Sequence, residues 1–357
     1  MTPPRSLFEP LSFRSGLSTN NRVALAPLTN KQSHEDGRLS RDELGWLSSR
    51  AEGGFGLVTT CAAHVAKDGQ GWAGELGIFD DGLLPGLTEL ATALRQRGAA
   101  SLVQIFHGGL RADPTLTGEP PWTAIARGSA RAATTADIER VIGQFADAAA
   151  RAKAAGFDGV EIHGAHGYLL TQFLSSENTR SDGWGGSLEG RARLVREVTR
   201  AVRARTGPGF TVGVRLSPED YGNARGLDLD ESIDVARALA DDGADFIHLS
   251  LWNALLRTTK RPDSHALPLF RAAVPAEVAL LVAGSIWTRR EAEEMLSLGA
   301  DCVALGRAAI VNPQWPRRAR EDGWEPERPP LTIDQLRERG LGERFAQYMR
   351  GWKGFVC

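Results

Sequence analysis

The sequence predicts an α/β chain folded as a (β/α)8 TIM barrel. Three observations predict it: short β-branched runs alternate with helical patterns, glycines close the helical stretches, and the strand-like runs number eight. The runs are 22–29, 55–64, 100–107, 159–164, 210–216, 245–251, 279–284 and 302–306. Strand, helix and strand in repetition call for parallel pairing through crossover helices. Ser40 with Glu43 and Thr288 with Glu291 read as capping boxes that open helices. Gly98, Gly156, Gly243 and Gly299 stand between helix and next strand, as in "AAGFDGVEI", "DDGADFIHL" and "SLGADCVAL", where glycine supplies a left-handed residue. Eight such units over about 300 residues favour a closed barrel over an open doubly wound sheet, which the count alone leaves open.

Two stretches interrupt the repeat. Residues 108–133, with Pro114, Pro120 and Pro121, form an extended loop after the third strand, and 253–267 form another after the sixth. Loops longer than ~12 residues are usually functional, and both follow strand C-termini, where barrel enzymes keep their active sites. The expected division is a barrel over 1–325 and a C-terminal tail over 326–357, packed on the barrel or on a neighbouring subunit. The tail opens "ERPP", carries one helix at 332–348 and ends "YMRGWKGFVC".

Composition narrows the function classes. At 42% hydrophobic and 24% charged, the 357 residues fit one large soluble domain. The net charge of −2, with arginines 191–205 and 317–320 interleaved with apolar or acidic residues, argues against nucleic acid. Cys61, Cys302 and Cys357 form no C-x-x-C pair, so no disulfide framework or metal site is expected and a reducing cytoplasm is the natural setting. Met1 to Asn20 lacks an apolar segment after Arg5, and no run approaches the ~18 apolar residues of a membrane span, so neither export nor insertion is expected.

Strand parity then locates a site. In the fifth strand Val212, Val214 and Leu216 must meet the helices, which turns Thr211, Gly213 and Arg215 inward. In the fourth, Val160 and Ile162 face out, leaving Glu161 and His163 inside. Gln104 and Thr29 complete a polar ring at the C-terminal mouth. A barrel without a site there gains little by desolvating an arginine and a histidine, although each residue alone reads equally as a satisfied core polar group. The seventh and eighth strands end "LVAGSI" and "VALGRA", exposing small-residue amides where barrels bind phosphate. Glycine after a strand is commonly only a turn; paired at these two strands, Gly284, Ser285, Gly306 and Arg307 suggest a phosphorylated cofactor. "EIHGAHGYLL" places His163, His166 and Tyr168 together after the fourth strand, two imidazoles able to donate to one carbonyl oxygen and a phenol able to deliver a proton.

Other readings are open at this point. His107, His163, His166 and Glu161 can be drawn as ligands of a metal-dependent hydrolase, but that barrel would want H-x-H on its first strand, which ends "APLTN". A cofactor-storing or pseudoenzyme barrel without catalysis is opposed by the complete His163, His166, Tyr168 set. His34, His64, His248 and His265 read as structural or surface residues. Trp46, Trp72, Trp122, Trp184 and Trp252 read as packing, with Trp252 and the 253–267 loop also placed to wall a substrate pocket.

Along essentially its whole length the chain resembles the Old Yellow Enzyme family of NADH:flavin oxidoreductases. "LFEPLSF…NRVALAPLT" resembles the family opening, "HGAHGYLLTQFLSSENTRSDGWGGSLEGRARL" its most specific signature, and "VAGSIWTRREAEEMLSLGADCVALGRAAIVNPQWP" its flavin-phosphate region. The resemblance implies bound FMN and ping-pong reduction, with NADPH or NADH, of the C=C bond of electron-poor alkenes such as α,β-unsaturated carbonyl and nitro compounds. FMN is favoured over FAD because no G-x-G-x-x-G follows any strand. By position, Pro27, Thr29 and Ala62 would lie along the isoalloxazine, Gln104 at its pyrimidine edge and Arg215 near N1 and O2. Gly284, Ser285, Gly306 and Arg307 would hold the phosphate. His163 and His166 would bind the substrate carbonyl, and Tyr168 would donate the proton. A related FMN-barrel dehydrogenase acting on another small molecule is the alternative; relatives with an iron–sulfur cluster need a cysteine cluster after the barrel, and only Cys357 follows Cys302.

The sequence mixes two branches of that family. Thr29 stands where thermophilic-like bacterial members often carry cysteine, resembling the yeast-type branch, and Lys31 stands at a substrate-contacting position where those members have tyrosine. "YMRGW" resembles the thermophilic-like branch, whose C-terminal arginine reaches a neighbouring subunit. Arg350 is therefore expected to contact substrate across the interface of a homo-oligomer, a dimer or tetramer.

Overall fold

Eight parallel strands close into a ring in the computed structural model, which describes residues 5–357. The first four residues, where the expected barrel unit and the N-terminal stretch begin, lie outside the described residues. The strands are β1 (Val23–Leu25), β2 (Leu57–His64), β3 (Ala100–Phe106), β4 (Gly159–Gly164), β5 (Thr211–Leu216), β6 (Phe246–Ser250), β7 (Ala279–Ala283) and β8 (Cys302–Leu305). Each pairs with the next, and β8 returns to β1 through Val303 opposite Val23 and Leu305 opposite Leu25. Closure removes the open-sheet alternative. Gly98, Gly156, Gly243 and Gly299 all sit at positive φ, between 77° and 111°, where a side chain would be strained.

The two faces of the ring have separate cores. Val160, Ile162, Val212, Val214 and Leu216 belong to the large apolar layer under the helices. Leu57, Leu102, Phe246, Leu281 and Cys302 belong to a smaller one inside. Phe246 fills the room that Gly213 leaves, since a Cβ on Gly213 would lie 2.0 Å from its ring. A hairpin of Leu11–Ser12 with Ser18–Thr19 stoppers the bottom, and Phe13 meets Phe246 edge-on at 5.8 Å. With apolar side chains filling the lower half, the polar inward residues of β3 to β6 crowd the upper half, toward the strand C-termini.

Three local expectations are corrected. The first strand ends at Leu25 instead of running to Thr29. Pro27, which has no N–H to extend the ladder, lies on the segment that crosses the mouth beyond it. The tail has two short helices, Ile333–Glu338 and Glu343–Tyr348, in place of one over 332–348, because Gly340 takes φ 83° between them. Thr288 and Glu291 form a complete capping box, but Ser40 caps alone. Glu43 turns inward instead, buried, and its carboxylate accepts from Asn30 Nδ2 at 3.1 Å, from Ser33 Oγ and from Cys61 Sγ at 2.7 Å.

The stretch 108–133 is ordered by short helices, Gly109–Arg111 and Pro114–Thr117, and by a pairing of Trp122–Thr123 with Arg131–Ala132. The tail lies on the barrel of its own chain. Phe345 packs edge-on against Trp46 at 5.0 Å and Gly342 N donates to Gln32 Oε1 at 2.8 Å, while within the tail Leu331 N donates to Phe355 O at 3.0 Å. Among the described residues no helix is long and apolar enough to cross a membrane.

Candidate active site

At the C-terminal mouth of the ring lies a cavity of about 400 Å3. Pro27, Thr29, Ala62, Gln104, His163, His166, Tyr168, Arg215, Gly284, Ser285, Gly306 and Arg307, twelve of the fourteen residues singled out from sequence, line it together. Ala62 arrives there through a register shift of β2 against β3 between Thr59 and Ala62. Lys31 and Arg350 are not in the wall. Lys31, at φ 56°, holds its ammonium 5.0 Å over the ring of Tyr348, which does line the cavity. Arg350 is exposed, and its Nε donates to Gln347 Oε1 at 2.8 Å.

Beneath the cavity the inward residues of β3 to β6 form one network. Glu161 accepts from Gln104 Nε2 at 2.7 Å, and its second oxygen is 2.7 Å from His248 Nδ1. Burial opposes its charge, yet His248, Arg215 and Gln104 together hold the carboxyl below its usual range. Arg215 donates from Nη2 to Ser250 Oγ at 3.1 Å and from Nη1 to Pro27 O at 3.4 Å, while its buried Nε has no protein partner. Glu161 is thus committed to Gln104 and His248, and His107 lies elsewhere, 4.9 Å from Trp122 and 3.6 Å from Asp68. Among the described residues no three His, Cys, Asp or Glu side chains stand where they could hold a metal ion.

Above the network, His163, His166 and Tyr168 converge. The His163 ring centre is 5.0 Å from that of His166 and 5.2 Å from that of Tyr168. Ala165 N donates to His163 Nδ1 at 3.3 Å, which leaves Nε2 to carry the proton of the neutral ring. Burial, aided by Arg215, pushes His163 down to about 3, so it is neutral at ordinary pH. Burial and Arg215 also press His166 far below its usual range. His166, at φ 62°, places Nε2 2.7 Å from Ser250 Oγ. Burial raises Tyr168, and the Arg111 guanidinium, 4.2 Å from the centre of its ring, opposes that rise.

At the far end Gly284 takes φ 152° and Ser285 φ 51°, so both amides belong to a strained turn beside Gly306. Arg307 donates from Nη2 to Ser285 Oγ and has no carboxylate partner among the described residues. A Cβ on Gly306 would meet only Leu28, at 3.3 Å, so open space lies before that backbone. The corner is cationic and amide-rich, a setting for a phosphate.

Sequence reasoning missed several wall residues. Arg111 lines the cavity and donates to the His166 carbonyl at 3.0 Å, and behind the wall the buried Phe106 meets Tyr168 edge-on at 4.5 Å. Trp72, read as packing, lines the cavity; Trp252 does too, whereas Trp46 and Trp122 are core. Ser250 was within reach of the parity argument, because it shares the inward face of β6 with Phe246 and His248. No sequence signal marks Arg111.

Comparison with known proteins agrees with this geometry. Residues 6–324 match the family profile described as NADH:flavin oxidoreductase / NADH oxidase. The chain is similar to the probable NADH-dependent flavin oxidoreductase YqiG of Bacillus subtilis, 38% identical over 330 residues, covering 89% of this chain and 88% of the relative. Among solved structures it is similar to the old yellow enzyme homologue of Zymomonas mobilis, with TM-score 0.83 and 27% identity over 96% of this chain and 99% of that one. It is also similar to morphinone reductase in complex with tetrahydroNAD, with TM-score 0.80 and 29% identity over 93% of this chain and 94% of that one.

Proposed function

Because the chain belongs to the NADH:flavin oxidoreductase / NADH oxidase family, and so is an FMN-dependent NAD(P)H oxidoreductase, we propose that it is an ene-reductase that saturates the C=C bond of α,β-unsaturated carbonyl or nitro compounds. The observation that carries this reading is the convergence of two neutral imidazoles and a protonated phenol in one cavity. The cavity fits FMN. Its orphaned Arg215 Nε and the Gln104 amide offer a polar edge, alanines offer thin walls, and the Gly284, Ser285, Gly306 and Arg307 corner offers a phosphate seat. Bound there, the flavin supplies the carrier that takes hydride from the nicotinamide and delivers it to the alkene.

The chain's own residues do the rest. His163 donates from Nε2–H to the activating oxygen of the substrate. Arg215 is a permanent donor to Ser250 Oγ; if the Ser250 hydrogen then turns to His166 Nε2, the His166 proton sits on Nδ1, a second donor for that oxygen. Such donors bond most strongly to the charge that develops on oxygen, worth about 3–4 kcal/mol each. A neutral imidazole N–H is a far weaker acid than a phenol O–H, so these donors hold the charge without surrendering protons and the proton for Cα comes from Tyr168. Arg215, with its unpartnered Nε, would hold the cofactor's polar edge and offset negative charge there. One cavity serves nicotinamide and alkene in turn, which makes the kinetics ping-pong. Arg350, exposed near the mouth, is proposed to act on a neighbouring copy's substrate in a homo-oligomer, and the two buried free thiols suit a reducing cytoplasm.

The test separates the half-reactions. Replacing His163 and His166 together by Ala should slow reoxidation of the reduced flavin by cyclohexenone about 100-fold or more and weaken phenolic ligands, with reduction by NAD(P)H less affected. Equal loss of both half-reactions with FMN retained, or a wild-type flavin that NAD(P)H bleaches but no enone or nitroalkene restores, overturns the proposal.

A further inference from the structure

Beside the active-site cavity lies a second cleft of about 490 Å3. The two share Arg111, Gly222 and Asn223 among their lining residues, so they adjoin at the barrel mouth. Three segments at the barrel top form the cleft: the stretch after β3 contributes Arg111 and Arg127, the segment after β4 contributes Glu177, and the loop after β5 contributes Arg225. Its charge is unbalanced. Three guanidinium groups face one carboxylate, Glu177, which is taken by Arg127 at 2.6 Å. Neither Arg111 nor Arg225 has a carboxylate partner among the described residues, in a chain whose 44 acidic residues outnumber its 42 lysines and arginines. Guanidinium groups that line a concave surface without carboxylate partners are a site for an anion, and their forked donors match phosphate oxygens.

The hydride donor carries such anions. To deliver hydride, its nicotinamide ring enters the active-site cavity, and its two phosphates and adenosine must then lie outside that cavity. We propose that the second cleft receives this phosphate-bearing arm, an inference that rests on the family's NAD(P)H chemistry and on the placement of hydride transfer in the adjoining cavity. Arg225 holds the phosphates. Arg111, which lines both spaces, stands where they adjoin.

The experiment uses the FMN-loaded protein and Arg225→Gln, with Arg225→Lys as the charge-retaining control. Calorimetry with tetrahydroNAD, which binds without turnover, should show affinity about tenfold weaker in Arg225→Gln, largely recovered in Arg225→Lys, and a shallower salt dependence. Stopped-flow reduction by NADH and NADPH should need correspondingly more reductant. N-benzyl-1,4-dihydronicotinamide, which carries hydride and no phosphate, should show no comparable loss. Unchanged tetrahydroNAD affinity overturns the subsite while leaving the ene-reductase reading intact. A loss confined to a carboxylate-bearing maleimide, with cyclohexenone and NADH unaffected, gives the cleft to acidic alkenes and also overturns it. A wild-type flavin that neither reductant bleaches strikes at the proposed function instead.

Discussion

Single residues at the mouth are poised by burial, and burial makes their behaviour checkable. Tyr168 keeps its proton because desolvation raises it, so Tyr168→Phe should leave flavin reduction intact and slow reoxidation by cyclohexenone by about 100-fold or more. A nitroalkene should be spared, since its nitronate is stable enough to wait for a solvent proton. An unchanged cyclohexenone rate in stopped flow removes Tyr168 from the chemistry. The histidines lead to a statement about pH. His163 is held at about 3 when folded, against about 6.5 for a free imidazole. Below about pH 6.5 the unfolded chain therefore binds a proton that the folded one refuses. Stability from this source is complete above that pH and drains as pH falls toward 3. The thermal midpoint should be flat above neutrality and drop on acidification, and His163→Asn should make the drop shallower. Parallel melting curves for the two proteins from pH 7 to 4 would falsify the assignment of a buried neutral His163.

At the scale of elements, Glu43 shows how the loops of the mouth are held. It sits on helix Arg41–Glu52 and ties Asn30 and Ser33, from the segment beyond β1 that carries Thr29, to Cys61 of β2. Glu43→Ala strips three buried partners of their acceptor and should cost about 1–3 kcal/mol, with faster loss of FMN on dilution; Glu43→Gln, which keeps an oxygen, should recover part of both. Denaturant midpoints and flavin fluorescence read the two effects, and an alanine variant as stable as the parent refutes the tether. Glu43 also marks where sequence reasoning stops. Its position three residues after Ser40 carries a local capping signal, and that signal is real for the Ser40 side chain. Whether the carboxylate returns to the cap or enters the core depends on Asn30, Ser33 and Cys61, which are distant in sequence or carry no pattern. The barrel itself was legible because Val212, Val214 and Leu216 alternate with Gly213 and Arg215, and a period of two needs no tertiary information. His163, His166 and Tyr168 were legible because they are contiguous with a strand end. Arg111 was not, since only the fold of 108–133 brings it over Tyr168.

For the whole molecule, the tail decides how far the site is the property of one chain. Tyr348, Met349 and Trp352 line the cavity of their own barrel, and Trp352 lies 6.4 Å from Trp252, which in turn stacks on Tyr221 at 4.3 Å. All five exposed large apolar side chains among the described residues, Tyr221, Trp252, Leu255, Leu256 and Trp352, belong to the loops after β5 and β6 and to this tail. Such a concentration is the kind of surface that a partner copy covers. Arg350, two residues before Trp352, is exposed, and among the described residues its side chain bonds only Gln347. Two variants separate the tail's two jobs. Truncation after Gln347 removes Tyr348, Met349 and Trp352 from the chain's own wall, Trp352 being also one of the five rim side chains, together with Phe355, which is buried at 3% exposure. It should lower the melting point by several degrees, corresponding to about 2–3 kcal/mol, raise KM for the alkene and reduce the particle size by light scattering. Arg350→Ala leaves wall and rim in place, so it should raise KM at unchanged size, and the effect should vanish when both proteins are diluted until they dissociate. A truncated chain of unchanged size, together with an Arg350→Ala KM equal to the parent's at every concentration, would confine the tail to its own barrel and end the case for a shared site.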